Sequence, residues 1–464
     1  MTEWKPVLSR RKGTIHSELL LSLRRDIASG RLVAGQQMPT HRELAKQLGI
    51  GVGTVTRAYA EAERLGLLSS AVGRGTFVTG SQPDMESGTG MIDLTLNVQV
   101  LEPVQRRLGD ALMRLRERTD LGEYVNFAPI AGIEWHRQEA AGWLKDVAHF
   151  PRVNWEHLLM TTGSQHAMSL VVDHLCRAGD TVLVEAASFS GFLALLRSRG
   201  LEGCGVAMDA EGMIPAALEE AIDRTGSRVV YLQPTLHNPT TRTMSRQRRE
   251  QIADIAERRG IWIIEDDVYA AIAIDFEGRP PRRVVPVSVL APERTFYIGS
   301  FSKVLAPGFR VGFLLAPDAA AFAQLCIGMR ASSYSASTLG ALVVMQWIRD
   351  GIAREIRQEI AAEADWRMRQ ARRILGDVIE PPSFSTSLHV WMPMSQLRAE
   401  QVLNDALRRG VMLTPPSSFN VLGEQTAGLR LCLNVVDRAQ LDRALHLVDA
   451  ALTGSQHRGH ATIV

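Results

Sequence analysis

Apolar residues in the first part of the chain recur at helical spacing and then at strand spacing. Ile15, Leu19, Leu23 and Ile27 repeat every four residues, which predicts an amphipathic helix closed by Ser29-Gly30. A second helix is expected after Pro39-Thr40, with Leu44, Ala45 and Leu48 inward and Gly49 as its stop. A third runs from about Val52 to Leu65, with Val55, Ala58, Tyr59 and Ala62 inward and Thr54, Arg57, Glu61 and Arg64 outward. Two short strands follow, 66–70 and 76–78, joined by a turn at Gly73-Arg74-Gly75.

The pattern then lapses. Residues 81–91 are small, polar and Gly-rich without apolar period, and read as a linker after a domain spanning 11–80. From 92 onward short apolar runs alternate with helical stretches. Residues 181–185, 229–233, 261–265 and 295–299 predict strands, and 246–259 a helix. Such alternation predicts an α/β domain over 92–453 with a mostly parallel sheet covered on both faces. A smaller αβ segment is expected at 355–453, and a disordered polar tail at 454–464.

Charge sharpens this division. Net charge is +2, but residues 1–80 hold twelve Lys/Arg against six Asp/Glu, and the remainder 40 against 44. A small basic head suits a polyanion partner. Composition is otherwise ordinary, 45% hydrophobic and 22% charged. No apolar run is long enough to span a bilayer, and Met1-Thr2-Glu3-Trp4-Lys5 lacks the apolar core of a signal peptide. Cys176, Cys204, Cys326 and Cys432 are too scattered for a metal cluster and suit a reducing cytosol, so no metal and no membrane contact is expected.

Candidate chemistry follows the predicted strands. Residues 261–265 lead into Asp266-Asp267-Val268-Tyr269, 229–233 into His237-Asn238-Pro239-Thr240, and 295–299 into Ser300-Phe301-Ser302-Lys303 and Pro307-Gly308-Phe309-Arg310. Ligands of open α/β sheets bind beyond the carboxyl ends of strands. Each residue alone has a plainer reading: Lys303 as a surface lysine, Asp266 as a helix cap, Arg430 as a solvated strand charge, Phe189 as core. Their order along the chain resembles the fold-type I aminotransferases over about 92–453, and this implies pyridoxal 5'-phosphate (PLP) as cofactor. By that resemblance Lys303 is the Schiff-base lysine and Asp266 meets the pyridine nitrogen. Asn238 and Tyr269 meet the ring oxygen, and Phe189 stacks on the ring. Ser164 and Gln165, in Thr162-Gly163-Ser164-Gln165-His166-Ala167, belong with Ser300, Ser302 and Arg310 to the phosphate cup. Arg430, in Leu429-Arg430-Leu431-Cys432, clamps a carboxylate. Three positions depart from the family: Phe127 where tyrosine is common, His237 for glutamine, and Thr241 for glycine.

The head resembles the GntR-type winged helix. Pro39-Thr40-His41-Arg42-Glu43-Leu44-Ala45, Gly49-Ile50-Gly51-Val52-Gly53-Thr54-Val55-Thr56-Arg57-Ala58-Tyr59 and Gly73-Arg74-Gly75-Thr76-Phe77-Val78 carry the likeness. It implies that Arg42, Thr54 and Arg57 face double-stranded DNA and that Arg74 and Gly75 form the wing tip. Gly51 and Val52 depart from the usual polar pair and leave the operator unspecified. A GntR-type head joined to an aminotransferase-like body is the pattern of the MocR family. That implies a cytoplasmic, dimeric bacterial regulator, nucleoid-associated when on DNA, that senses a small amino compound through aldimine exchange at Lys303. Two alternatives stay open: a working aminotransferase with a DNA-binding head, and a regulator that senses PLP itself.

Overall fold

The computed structural model describes residues 4–6, 15–28, 31–32, 36–64, 67–71, 75–78, 91–273, 285–384, 386–423 and 427–458. The expected linker up to residue 90, Arg74 at the wing tip and residues 459–464 of the tail lie outside these. The chain divides into two compact units, Met1–Met91 and Ile92–Val464.

The first unit is three helices and a hairpin. Helices α1 (Ile15–Ala28), α2 (His41–Leu48) and α3 (Val52–Arg64) pack around Leu19, Leu23, Leu44, Val55, Ala58, Tyr59 and Ala62, all buried. A capping box starts α2: the Glu43 amide donates to Thr40 Oγ1 at 3.3 Å, and the Thr40 amide to Glu43 Oε2 at 2.9 Å. Gly49, at φ 65°, ends it in a left-handed cap. The Tyr59 hydroxyl donates to Pro39 O at 3.0 Å, tying α3 to the start of α2.

Strands β1 (Leu68–Ala71) and β2 (Gly75–Val78) form the antiparallel hairpin. Its second strand also pairs with residues 36–38: Met38 N donates to Thr76 O at 2.8 Å, and Val78 N to Gln36 O at 2.9 Å. This third wing strand has too little apolar pattern to announce itself in the sequence. Two expectations shift. The unit begins before residue 11, because Trp4 is buried in its core and donates from Nε1 to Asp26 Oδ2 at 2.9 Å. On α3, Thr54 and Glu61 are half-buried; Gly53, Thr56, Arg57, Ala60 and Glu63 are the exposed line, opposite the packed positions 55, 58, 59 and 62. The side chain of Arg64 lies outside the description.

The second unit opens with β3 (Ile92–Asp93). Strands β4 (Leu158–Thr161), β5 (Thr181–Glu185) and β6 (Glu202–Val206) come next, then a small hairpin, β7 (Met208–Asp209) with β8 (Gly212–Met213). After these come β9 (Val229–Leu232), β10 (Trp262–Asp266), β11 (Thr295–Ser300) and β12 (Gly312–Leu315). The main sheet has the order β4-β12-β11-β10-β9-β5-β6, with β12 running against the others. Successive side chains alternate between its faces. Val182, Val184, Tyr231, Ile264 and Phe296 pack on helices Ser164–Leu175, Ser190–Ser198 and Ala319–Ser332. Leu183, Val230, Leu232 and Ile263 pack on Pro215–Thr225 and Arg246–Arg259. Both faces are therefore covered, as the apolar runs predict.

The rest of the unit holds β13 (His389–Pro393), β14 (Val411–Met412) and β15 (Gly428–Cys432), with helices Ile352–Leu375, Gln396–Arg408 and Arg438–Arg458. It differs from the expected 355–453 segment in two ways. β3 pairs in parallel with β14, and Ile92 and Leu94 join this core. The last helix also runs to Arg458, five residues into the stretch expected to be a disordered tail, since helical hydrogen bonding continues past Gly454.

Among the described residues, no helix is long and apolar enough to cross a membrane, and no group of three or more His, Cys, Asp or Glu is placed to hold a metal ion.

Candidate functional sites

The carboxyl ends of β5, β9, β10 and β11, neighbours in the main sheet, bring the expected polar residues together. Asp266 ends β10. Its Oδ2 accepts from the Tyr231 hydroxyl and from Gln233 Nε2, both at 2.8 Å. Tyr231 and Gln233 are two apart on one strand end and so share a face. The Tyr231 ring is stacked on Phe192 at 3.7 Å between centroids. Asp266 Oδ1 is buried without a hydrogen-bond partner. Burial raises the Asp266 carboxyl to about 6, while the Tyr231 and Gln233 donors pull it down. An orphaned carboxylate oxygen suits a pyridinium N–H, which would satisfy the atom and keep the acid ionised.

Lys303 lies in the turn after β11. Its Nζ donates to Asn97 O and sits 5.7 Å from the Tyr269 ring centroid. Burial is the main cause that lowers its ammonium to about 8; Arg430 and Arg310 lower it too, and Asp266 opposes them. A lysine so tuned holds an appreciable neutral fraction near neutral pH, the form that attacks a carbonyl. Asn97 Nδ2 donates to the Tyr269 hydroxyl at 2.9 Å and lies 3.0 Å from His389 Nδ1. Burial holds the Tyr269 phenol well above its ordinary value.

A cradle lies where the helix Ser164–Leu175 begins. Gly163, at φ 82°, is its N-cap, and a Cβ there would come within 2.7 Å of Arg310 Nη2. A Cβ on Gly312 would lie 2.8 Å from the Gly163 carbonyl carbon. These two glycines let the helix start, Arg310 and β12 close on one another. Arg310 itself adopts φ 52° and is exposed. Ser300 Oγ donates to Ser302 Oγ at 3.0 Å and accepts from the Ser302 amide at 3.1 Å. Gln165 Nε2 donates to Gly191 O at 2.9 Å, and the Phe189 ring lies against Gly191, where a Cβ would meet its Cζ at 2.5 Å. Helix N–H groups, hydroxyls and an arginine make a donor set suited to phosphate. Lysine, unpartnered acid and anion cradle thus fit PLP, a pyridine bearing an aldehyde and a phosphate.

Arg430, on β15, is buried against Asn238. Its Nη1 donates to Asn238 Oδ1 at 2.9 Å, and its Nη2 to Thr95 O at 2.7 Å and Thr414 Oγ1 at 3.1 Å. The guanidinium carbon lies 4.7 Å from the Phe419 ring centroid. The Asn238-Pro239 peptide is cis.

The three departures find distinct places. His237 is buried, with Nδ1 2.8 Å from Thr240 Oγ1 and Nε2 3.1 Å from Glu185 Oε2. Thr241 has φ 61°, the left-handed conformation that favours glycine. Phe127 is 81% exposed, its ring 5.0 Å from that of Tyr334.

Several contributors escaped sequence reasoning. Asn97, Thr95 and Thr414 reach the site from residues remote in sequence. Asp266 is also flanked by a second buried network. Glu265 accepts from the Val287 and Ser288 amides at 2.8 Å each, and Asp267 from the Tyr297 hydroxyl at 3.2 Å. Arg249 is buried beside them, donating to Pro234 O at 2.9 Å and Thr235 Oγ1 at 3.0 Å. The signal was present as three consecutive acids ending an apolar strand.

In the first unit, Arg42 and Arg57 are exposed on α2 and α3, Gly75 is exposed at the start of β2, and Thr54 is half-buried. Gly75 has φ 107°, and a Cβ there would approach Gln37 Nε2 to 2.7 Å, so the wing turn needs glycine.

Comparison with known proteins assigns a family to each of the two parts of the chain. Residues 89–448 match the family described as Aminotransferase class I and II, and residues 16–78 match Bacterial regulatory proteins, gntR family. The uncharacterized HTH-type transcriptional regulator YisV of Bacillus subtilis (strain 168) is 24% identical over 481 residues, covering 96% of this chain and 97% of its own. The HTH-type pyridoxine biosynthesis transcriptional regulator PdxR of Corynebacterium glutamicum is 27% identical over 318 residues, 66% of each chain. Among solved structures, the α-aminoadipate aminotransferase LysN of Thermus thermophilus, complexed with N-(5'-phosphopyridoxyl)-L-leucine, superposes with a TM-score of 0.70 at 25% identity, covering 86% of this chain and 99% of its own. The chain belongs to the aminotransferase class I and II family, with pyridoxal 5'-phosphate as its cofactor, and carries a gntR-family domain ahead of it in the MocR arrangement.

Proposed function

We propose that this protein is a cytoplasmic transcription regulator that binds double-stranded DNA through its first unit and reads a carboxylate-bearing amino compound in its second. One observation carries the reading. A winged helix that exposes Arg42 and Arg57 is joined, in one chain, to a site with Lys303, the unpartnered Asp266 Oδ1 and buried Arg430. The regulator names of YisV and PdxR support it.

Bound PLP supplies an aldehyde that captures primary amines. Lys303 would be the residue that binds it, and its lowered basicity provides the neutral amine this needs. Asp266, oriented by Tyr231 and Gln233, holds a proton on the pyridine nitrogen. Asn238 and Tyr269 would hold the ring oxygen, and Phe189 would pack on the ring. Ser164, Gln165, Ser300, Ser302 and Arg310 receive the phosphate. Arg430 takes the carboxylate of the amino compound, which selects amino acids over simple amines. On DNA, Arg42, Thr54, Arg57, Arg74 and Gly75 make the contacts, phosphate contacts supplying most of the affinity. A ligand shifts that affinity only through preference for one state of the protein. A homodimer belongs to the same reading, and the exposed side chains of Val125 and Phe127, 72% and 81% accessible, support it.

The test is operator binding by the PLP-loaded protein during a screen of amines and amino acids, with cofactor absorbance followed in parallel. A response of both signals to the same amino acid supports the reading; DNA affinity indifferent to every amine that changes the absorbance ends it. Transaminase turnover is the second reading, favoured by the placement of Asn238, Asp266, Tyr269, Lys303 and Arg430 together, and steady turnover with a keto acid would establish it. A response to PLP concentration alone would instead favour a vitamin sensor.

A further inference from the structure

Residues 94–101 carry no regular secondary structure, yet they line the site from end to end. Thr95 O accepts from Arg430 Nη2 at 2.7 Å. Asn97 O accepts from Lys303 Nζ, and Asn97 Nδ2 donates to Tyr269 at 2.9 Å. Gln99 Nε2, buried, donates to Leu305 O at 2.6 Å, in the turn that carries Lys303. On its other side, Val98, Gln99, Val100 and Leu101 border a cavity of about 710 Å³ that reaches Asn434 and Arg438. Leu96, at the middle, is 56% exposed. Leu94 anchors the start of the segment in the apolar core and Val100 packs near its end, so its middle has few apolar anchors, and space lies beside its second half. Two of its polar anchors are the cationic side chains that cofactor and carboxylate claim.

We propose that residues 94–101 form an internal strap whose Thr95 and Asn97 carbonyls occupy Arg430 and Lys303, and that a carboxylate on Arg430 releases it. The inference rests on the amino-compound reading of the same site. A carboxylate accepts from guanidinium more strongly than a neutral carbonyl does, so it displaces Thr95 O. Lys303 is free to keep Asn97 O whenever an amino compound holds the aldehyde, so the release runs through Arg430 alone. With the Arg430 contact gone, Thr95 O keeps the longer bonds from Thr414 Oγ1 and Cys432 Sγ, 3.4 Å each; the middle of the strap is held by Asn97 and Gln99, and its start by the short β3–β14 ladder that Leu94 extends and by the Cys432 amide on Leu94 O. Segments so held open locally at low cost. The strap follows β3, the first element after the residues that join it to the DNA-binding unit in sequence. Its release thus gives the pocket a direct covalent route towards the head. Asn97 is in this view a positioning residue: it holds Lys303 and Tyr269 in register until the pocket fills.

The experiment is hydrogen–deuterium exchange of the full-length protein loaded with PLP, with pyridoxamine 5'-phosphate, or with phosphopyridoxyl-glycine, which adds a carboxylate and no side chain. Binding of each is first established by fluorescence titration. Deuterium uptake across 92–101 is expected to rise with phosphopyridoxyl-glycine above the level with pyridoxamine 5'-phosphate, which leaves Lys303 equally free and lacks the carboxylate. Equal or lower uptake in that state, with binding established, overturns the strap and leaves the sensor reading intact. Failure of phosphopyridoxyl-glycine to bind counts against the sensor reading itself. Gln99→Leu, which removes the anchor to Leu305, is expected to raise uptake across 92–101 in the PLP-loaded protein with cofactor absorbance unchanged. Unchanged uptake in that variant also overturns the strap.

Discussion

Arg430 Nη1 and Asn238 Oδ1 lie 2.9 Å apart, so the residue expected to clamp a carboxylate and the one expected to face the cofactor ring oxygen are joined directly. The pair links the two halves of the pocket across β15 and the end of β9. Arg430→Gln removes a charged donor and keeps a polar group of similar reach. It should weaken phosphopyridoxyl-glycine by about 1.5–3 kcal/mol, on the order of tenfold to a hundredfold, and leave PLP binding nearly unchanged. Fluorescence titration of both ligands checks this, and an equal loss of the two would mean a collapsed site.

Asp266 predicts a pH dependence. Its folded carboxyl is raised to about 6 from an ordinary 3.8, so the cofactor-free folded state binds more protons than the unfolded one between those values. Stability therefore falls as pH rises through that window, by up to about 3 kcal/mol. Asp266→Asn, which cannot ionise, should match the parent below about pH 4 and exceed it above about pH 6 in the cofactor-free protein. It should also lose PLP affinity. Chemical denaturation across pH reads the first effect and absorbance titration the second.

Thr241 holds φ 61° while buried and β-branched. Thr241→Gly should relieve that strain and raise stability by about 1 kcal/mol, even though glycine makes the unfolded chain freer. A lower melting temperature in the glycine variant would show that the Thr241 hydroxyl, which donates to Thr240 O at 2.6 Å, outweighs the backbone cost.

Arg42→Ala and Arg57→Ala should each weaken operator binding and lower the slope of log affinity against log salt by roughly one. Cofactor absorbance should stay as in the parent, since both residues belong to the first unit's own fold. Lys303→Ala tests the other end: DNA binding should persist, and its response to amino acids should vanish. A full response without that lysine would rule out covalent capture as the signal.

The elements that the sequence made legible are those whose side-chain period is strong. β5 and the helix Arg246–Arg259 fall where apolar spacing placed them, and α2 announces both ends through Thr40, Glu43 and Gly49. Asp266, Asn238, Lys303 and Arg310 were legible because each follows a buried strand in an order that few folds share. Asn97 was not, because it sits on an irregular segment and meets Lys303 from 206 positions away. The third wing strand at 36–38 and the buried Trp4 were missed for a related reason: a lone bridge or one anchored ring leaves no period to read. The outward face of α3 was displaced by half a step because Thr54 and Glu61 flank the packed line rather than oppose it.

The pairing of β3 with β14 bears on how the protein can be dissected. A fragment cut to start at the helix Glu102–Arg116, where regular structure resumes, would strip Val411 and Met412 of their neighbouring strand and Arg430 of the Thr95 carbonyl. The second unit on its own must therefore be cut no later than Met91. Any shorter piece is a different ligand-binding protein.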